Sequence, residues 1–230
     1  MKPLTSSRLE QYLYHEVWLT SDHKARAFLV VVSEDVWALC VVKLCFTMLV
    51  RLSSMVEVLT LCQNVEDLAI KSSIHYIPWR AKNPLLVPLR NLLRIKTMFT
   101  DLATVASGGH VILPEFVWFN HISQLHLNIS WALWGSVPQG LSNLANLTHL
   151  SIFWATSHLC TSRLVQFLEK GMTVVLILWI NDIVMESTIH KDLCLRGLAD
   201  VRVVLFRSCL MGEYMAAGGF WKYAERIVQW

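Results

Sequence analysis

Val137-Pro138-Gln139-Gly140-Leu141-Ser142-Asn143-Leu144-Ala145-Asn146-Leu147-Thr148-His149-Leu150-Ser151-Ile152 changes its period part-way along. Leucine recurs every third residue at 141, 144, 147 and 150, and Ile152 then follows after two. Spacing of three suits a helix or a tight 3₁₀ turn, and spacing of two suits a strand whose alternate side chains face one side of a sheet. The stretch therefore predicts a turn running into a strand. Leu150 and Ile152 face the core, and His149 and Ser151 face the other way.

The same L-x-x-L-x-L ending recurs along the chain. Ile122 to Leu127 and Val65 to Ile70 fit it, and Val41 to Phe46 fits with an aromatic in the last place. Met172 to Ile177 and Val201 to Phe206 fit loosely, and Leu92 to Ile95 is the weakest case. Central positions at 44, 68, 95, 125, 150, 175 and 204 are separated by 24, 27, 30, 25, 25 and 29 residues. Leucine-rich repeats run about 20–29 residues, so the units read as a degenerate version of that repeat. The intervals hold helical patterns. Ser53 to Cys62 places Met55, Val58, Leu59 and Cys62 on one face, and Thr161 to Gly171 opens on hydroxyls and stops at glycine. Strand, helix, strand at this period implies parallel strands joined by crossovers. A single unit cannot bury its own apolar face, but stacked neighbours can.

The expected architecture is thus α/β, an irregular leucine-rich-repeat-like solenoid with a parallel sheet on one face and helices on the other. Residues 1–35 read as a helical lead-in and N-terminal cap, with Ser21-Asp22-His23-Lys24 opening a helix over Ala25 to Val32. Residues 36–217 form the solenoid. Residues 218–230 form a C-terminal capping helix, with Phe220, Tyr223, Ala224 and Ile227 turned inward. Ser72 to Leu89, with prolines at 78, 84 and 88, reads as a loop or irregular insertion.

Composition narrows the function classes. With 54% hydrophobic and 16% charged residues there is ample apolar surface to offset the entropy of ordering. A net charge of +3, with the basic residues scattered, argues against nucleic acid as partner. The longest apolar run, Val36 to Val50, contains Lys43 and falls short of the roughly 20 residues that span a bilayer, so no membrane association is expected. The first residues carry charge without an apolar run behind it, which predicts an intracellular chain, cytoplasmic or nuclear. The six cysteines (40, 45, 62, 160, 194 and 209) sit mostly in apolar runs and read as buried free thiols.

Chemistry is sparse. The chain contains no G-x-S-x-G, Walker loop, G-x-G-x-x-G or H-E-x-x-H. His126 and His149 become diagonal neighbours when Leu125 is aligned with Leu150, but two ligands do not make a zinc site. No catalytic residue, cofactor or metal is therefore expected. The face away from the core carries Asp67, Gln124, His126, His149, Ser151 and Phe153, which the alternation leaves free to contact a partner. In the same register Val174, Leu176 and Leu178 point outward although apolar, so that part of the face is either covered or forms an apolar binding patch.

Leu13-Tyr14-His15-Glu16-Val17 and Leu19-Thr20-Ser21-Asp22-His23-Lys24-Ala25-Arg26-Ala27-Phe28-Leu29 resemble the segment that follows the F-box in F-box-like proteins of mushroom-forming fungi. Leu61 to Ala69, Leu147 to Ile152 and Phe220 to Glu225 resemble them too, so the likeness runs from about Leu13 to the end. The resemblance implies an F-box that docks on a ubiquitin-ligase adaptor and a leucine-rich-repeat-like region that holds the substrate. The residues ahead of Leu13 do not carry that F-box, so adaptor binding is expected only of a longer product. The chain itself is expected to be a protein–protein interaction module for an unknown protein partner. The alternatives are an α/β enzyme whose site no motif encodes, or a degenerate gene fragment without a role.

Overall fold

The computed structural model describes residues 13–33, 36–71, 83–101, 117–128, 144–154, 165, 168–169, 175–180, 191, 193–195, 197, 199–207 and 219–228. Among these, eight strands form one open sheet: β1 (Glu16–Leu19), β2 (Lys43–Thr47), β3 (Asp67–Lys71), β4 (Thr97–Asp101), β5 (Gln124–Asn128), β6 (His149–Trp154), β7 (Val175–Ile180) and β8 (Val203–Arg207). They lie side by side in chain order, and every pairing is parallel. The fold is α/β, as expected.

The register explains why the leucine spacing repeats. Leu44, Leu68, Met98, Leu125, Leu150 and Leu176 stand in one row across the sheet. Three residues before the first five of them come Val41, Val65, Ile95, Ile122 and Leu147, all buried. Six before come Ala38, Cys62, Leu92, Phe119 and Leu144, also buried. The positions that precede a strand thus belong to the same core as the strand. Strands β2 to β6 also start in the same way. The N–H groups of Val42 and Lys43 both donate to the His15 carbonyl, and those of Glu66 and Asp67 to Val42. Lys96 and Thr97 donate to Glu66, Ser123 and Gln124 to Lys96, and Thr148 and His149 to Ser123. Asparagine reinforces two of these entries: the Asn64 amide donates to the Leu39 carbonyl at 2.9 Å, and the Asn146 amide to that of Asn120 at 2.6 Å.

Helices cover this leucine face. In α1 (Asp22–Ser33) the Ser21 hydroxyl accepts from the Lys24 N–H at 3.3 Å, which caps the first turn. Ala25, Phe28 and Val32 are buried with Leu29 packed beside them, an apolar stripe at helical spacing. In α2 (Leu52–Leu61) Met55, Val58 and Leu59 are buried along with Cys62, as the sequence predicts. Asp22 joins the two helices by accepting from the Ser54 hydroxyl at 2.7 Å and from the Arg51 N–H at 3.3 Å. The Ser54 bond, and the nearby guanidinium groups of Arg26 and Arg51, hold the Asp22 carboxyl below its ordinary value despite partial desolvation. Short α3 (Leu86–Arg90) closes the segment read as a loop, and its Pro88 lies in the first turn, where no intrahelical N–H bond is lost. Residues 72–82 lie outside the described residues. Of the helix expected over Thr161 to Gly171, Val165, Leu168 and Glu169 are described and helical.

Leu150 sits fully buried in the middle of this core, so Leu150→Ala is expected to cost about 2–5 kcal/mol in urea unfolding. A loss below about 1 kcal/mol would show that the row does not carry the core.

Four expectations need correction. The lead-in is not purely helical, because Glu16–Leu19 is the first strand of the sheet. The fourth unit is centred on Met98, not Ile95, which occupies the position three residues earlier. In β7 and β8 the phase is one residue off: Leu176 and Leu178 join the core with Leu150 and Ile152, Val203 and Leu205 pack against it, and Val175, Ile177, Trp179, Val204 and Phe206 take the other face. A one-residue slip exchanges the two faces, and these apolar runs carry no alternation to fix their phase. Finally, α4 (Gly219–Val228) buries Phe220, Trp221 and Ala224, whereas Tyr223 and Ile227 are 47% and 44% exposed.

Candidate functional site

The face opposite α1 and α2 is divided between a covered half and an open half. α4 folds across it at the C-terminal end. There Phe220, Trp221 and Ala224, with Val228 beside them, meet Val175, Ile177, Trp179, Val204 and Phe206 in a second apolar cluster. The β7 face is thus covered, not a sticky patch. No helix among the described residues is long and apolar enough to cross a membrane.

The covered half buries residues expected to be free. His126 is 1% exposed, His149 7% and Ser151 0%. The Trp179 indole N–H donates to the Ser151 hydroxyl at 2.6 Å, and that hydroxyl shares a 2.7 Å hydrogen bond with Nδ1 of His126. The His126 ring lies flat on Phe99, 4.3 Å between centroids, and edge-on to Trp179 and Phe220. Burial first, and the Lys71 ammonium second, push the His126 pKa down to about 3. His149 binds the α4 carboxylate: its Nε2 is 2.9 Å from Oε1 of Glu225, and its ring meets Trp221 edge-on at 5.3 Å. Burial holds the His149 pKa below the usual imidazole value although Glu225 pulls the other way. These three residues therefore serve the packing of α4 on the sheet, which corrects the expectation that they lie on an open face. Phe153 is in β6 opposite Trp179, but its side chain lies outside the described residues.

The open half is a groove of about 520 Å³. Its floor is the outward row of β1 to β5, and its wall is the start of α4, where Phe220, Trp221 and Lys222 line it. Of the expected site residues, Asp67, Gln124 and the edge of the buried His126 line this groove, and the first two are half-exposed. Asp67 pairs with Lys43 across the strands at 3.6 Å, and Gln124 accepts from the Thr97 hydroxyl at 3.3 Å. Sequence reasoning missed the rest. Trp18 is 41% exposed, and its indole N–H donates to Glu16 at 2.7 Å. Lys71 places its ammonium 5.3 Å from the Trp18 ring centroid and 6.0 Å from that of Phe99. Trp18, Cys45, Ala69, Phe99 and His126 form one row across five strands. The outward positions of β2 and β3 were readable as Lys43, Cys45, Ala69 and Lys71 from the strand alternation, but without β1 and the register of β4 the row had no neighbours.

Burial raises the pKa of the groove's thiol, Cys45, which works against thiolate formation. Among the described residues no three His, Cys, Asp or Glu side chains converge as metal ligands. Cys45 and Cys62 are buried free thiols, as expected, whereas Cys40 is half-buried and Cys194 exposed; Cys160 and Cys209 lie outside the described residues.

The chain matches no family model and no curated protein.

Proposed function

We propose that the chain is an irregular leucine-rich-repeat-like solenoid, of the kind that F-box-like proteins of mushroom-forming fungi carry behind the F-box, and that it binds a protein partner on its open sheet face. The observation that carries this reading is the division of that face: α4 seals its C-terminal half and leaves a groove of polar and aromatic side chains over β1 to β5. Support for the repeat comes from the buried positions that recur six and three residues before the row residues of β2 to β6, and from the matching entries of those strands. Support for the family comes from the residues quoted above between Leu13 and Glu225. In such a protein the occupant of the groove would be the substrate presented to a ubiquitin ligase, with the F-box supplied by a longer product.

Ala69 tests the reading, because it is half-exposed in the middle of the groove floor and a large side chain there fills the space without touching the core. Ala69→Tyr should melt with the parent chain yet lose most of the partner recovered by affinity capture and cross-linking. Undiminished capture by a folded Ala69→Tyr protein would mean that the partner binds elsewhere.

A further inference from the structure

Lys71 is the most unusual charge on the open face. Lys43, Lys96 and Arg202 each have a carboxylate close by, at 3.6, 2.7 and 2.7 Å. Lys71 is half-buried, and its ammonium lies over the Trp18 and Phe99 rings. Both rings are themselves held: Trp18 by its indole bond to Glu16, and Phe99 by stacking on His126. An ammonium over two aromatic rings is fixed in position and partly desolvated, yet a ring face satisfies its three N–H donors only weakly. A carboxylate completes such a site.

The other charges of the groove leave the same sign in excess. Lys43, Lys71 and, on the opposite wall, the exposed Lys222 face the carboxylates of Glu16 and Asp67, so one positive charge is left over. Both carboxylates lie at the Lys43 end, where Asp67 pairs with Lys43 and Glu16 stands opposite it in the register. Between Lys71 and Lys222 lie apolar surfaces from Trp18, Ala69 and Phe99 on the floor and from Phe220 on the wall. Five strands at about 4.8 Å spacing give a floor roughly 19 Å across, the length of about six extended residues.

We infer that the groove takes an extended acidic peptide segment of a protein partner, with one of its carboxylates seated on Lys71 and apolar side chains on the aromatic floor. The inference rests on the open-face reading and adds the chemistry of the occupant. Electrostatic complementarity of this kind selects the partner by sign and speeds encounter.

The probe is a labelled peptide alternating Glu and Leu, compared with Gln/Leu, Lys/Leu and phosphoserine/Leu versions, in fluorescence polarisation against the full chain. The Glu/Leu peptide should bind best and weaken with salt. Lys71→Met should cost about tenfold, as expected for a lost hydrogen bond to a charged group. Lys71→Glu should turn the preference toward Lys/Leu, and both variants should melt with the parent chain. Equal binding of Glu/Leu and Gln/Leu, no binding of Glu/Leu, a stronger phosphoserine peptide, or an unchanged preference in Lys71→Glu each overturns the inference. The Ala69→Tyr capture result is independent: partner loss there alongside indifference to Lys71 leaves the open face as the binding site and removes only its acidic specificity.

Discussion

Replacing Trp179 by alanine is expected to lower the free energy of unfolding by about 3–5 kcal/mol, among the largest effects of any single substitution in this chain. The indole is fully buried, 5.0 Å from the Phe206 ring centroid and 6.1 Å from that of Phe220. Its removal opens a cavity in the apolar cluster that holds α4 on the sheet. It also strips the Ser151 hydroxyl of the N–H that it accepts at 2.6 Å, leaving a buried polar group short of a partner. Urea unfolding measures the total, and hydrogen exchange separates its parts. Amides of α4 should lose protection before those of β2 and β3, whose core lies on the other face. A loss under about 1 kcal/mol, or uniform deprotection, would show that α4 is not pinned by this residue.

Mild acid is the second large perturbation. His126 has a folded pKa of about 3 against an ordinary value of 6.5. A base with a depressed folded pKa contributes its full stability above the unfolded value and loses it as pH falls towards the folded one. Stability should therefore decline from about pH 6.5 downward, by at most about 1.4 kcal/mol per pH unit from this one group. The geometry agrees, since protonation puts a charged N–H at Nε2, which has no hydrogen-bond partner among the described residues. His149, also depressed, acts in the same direction. Asp22, Glu66 and Asp200 lie below the ordinary carboxylate value and lose their contribution at lower pH. Urea midpoints taken between about pH 7.5 and 5 thus isolate the imidazoles. His126→Gln should flatten the curve while lowering stability at neutral pH. A parent protein equally stable across that window, or a variant with the parent's slope, contradicts a buried neutral His126.

The leucine face was legible because its rule is local. Leu144, Leu147, Leu150 and Ile152 repeat a spacing that Ile122, Leu125 and Leu127 share, and all are buried. The rule failed where composition hid it. In the fourth unit Thr100 stands in the last leucine position, buried and donating its hydroxyl to the Asp101 carbonyl, while Leu92 and Leu93 offered a false match. β1 is four residues long and carries Trp18 at an outward position, so the inward turn of Val17 and Leu19 is hidden in the sequence and shows only in the pairing with Lys43 to Phe46. The site was harder still. Whether a helix lies over His126, His149 and Ser151 depends on contacts between Glu225 and a residue 76 positions earlier, which no local period records. The one clue is that β7 is apolar at successive positions from Val175 to Trp179, as a strand covered on both faces must be.

The strand entries bear on how the chain tolerates change in length. Successive row residues from Leu44 to Leu150 are 24, 30, 27 and 25 apart, yet the entry of each strand from β2 to β6 fastens two consecutive N–H groups to a carbonyl of the unit before it. Register is therefore reset at the start of each of those strands and is not inherited from the loop that leads there. Residues gained or lost after a strand's exit alter the outer surface and leave the sheet in step. Such a scaffold can drift in sequence and in length until its repeats fade from view, while the row of side chains that meets a partner stays aligned.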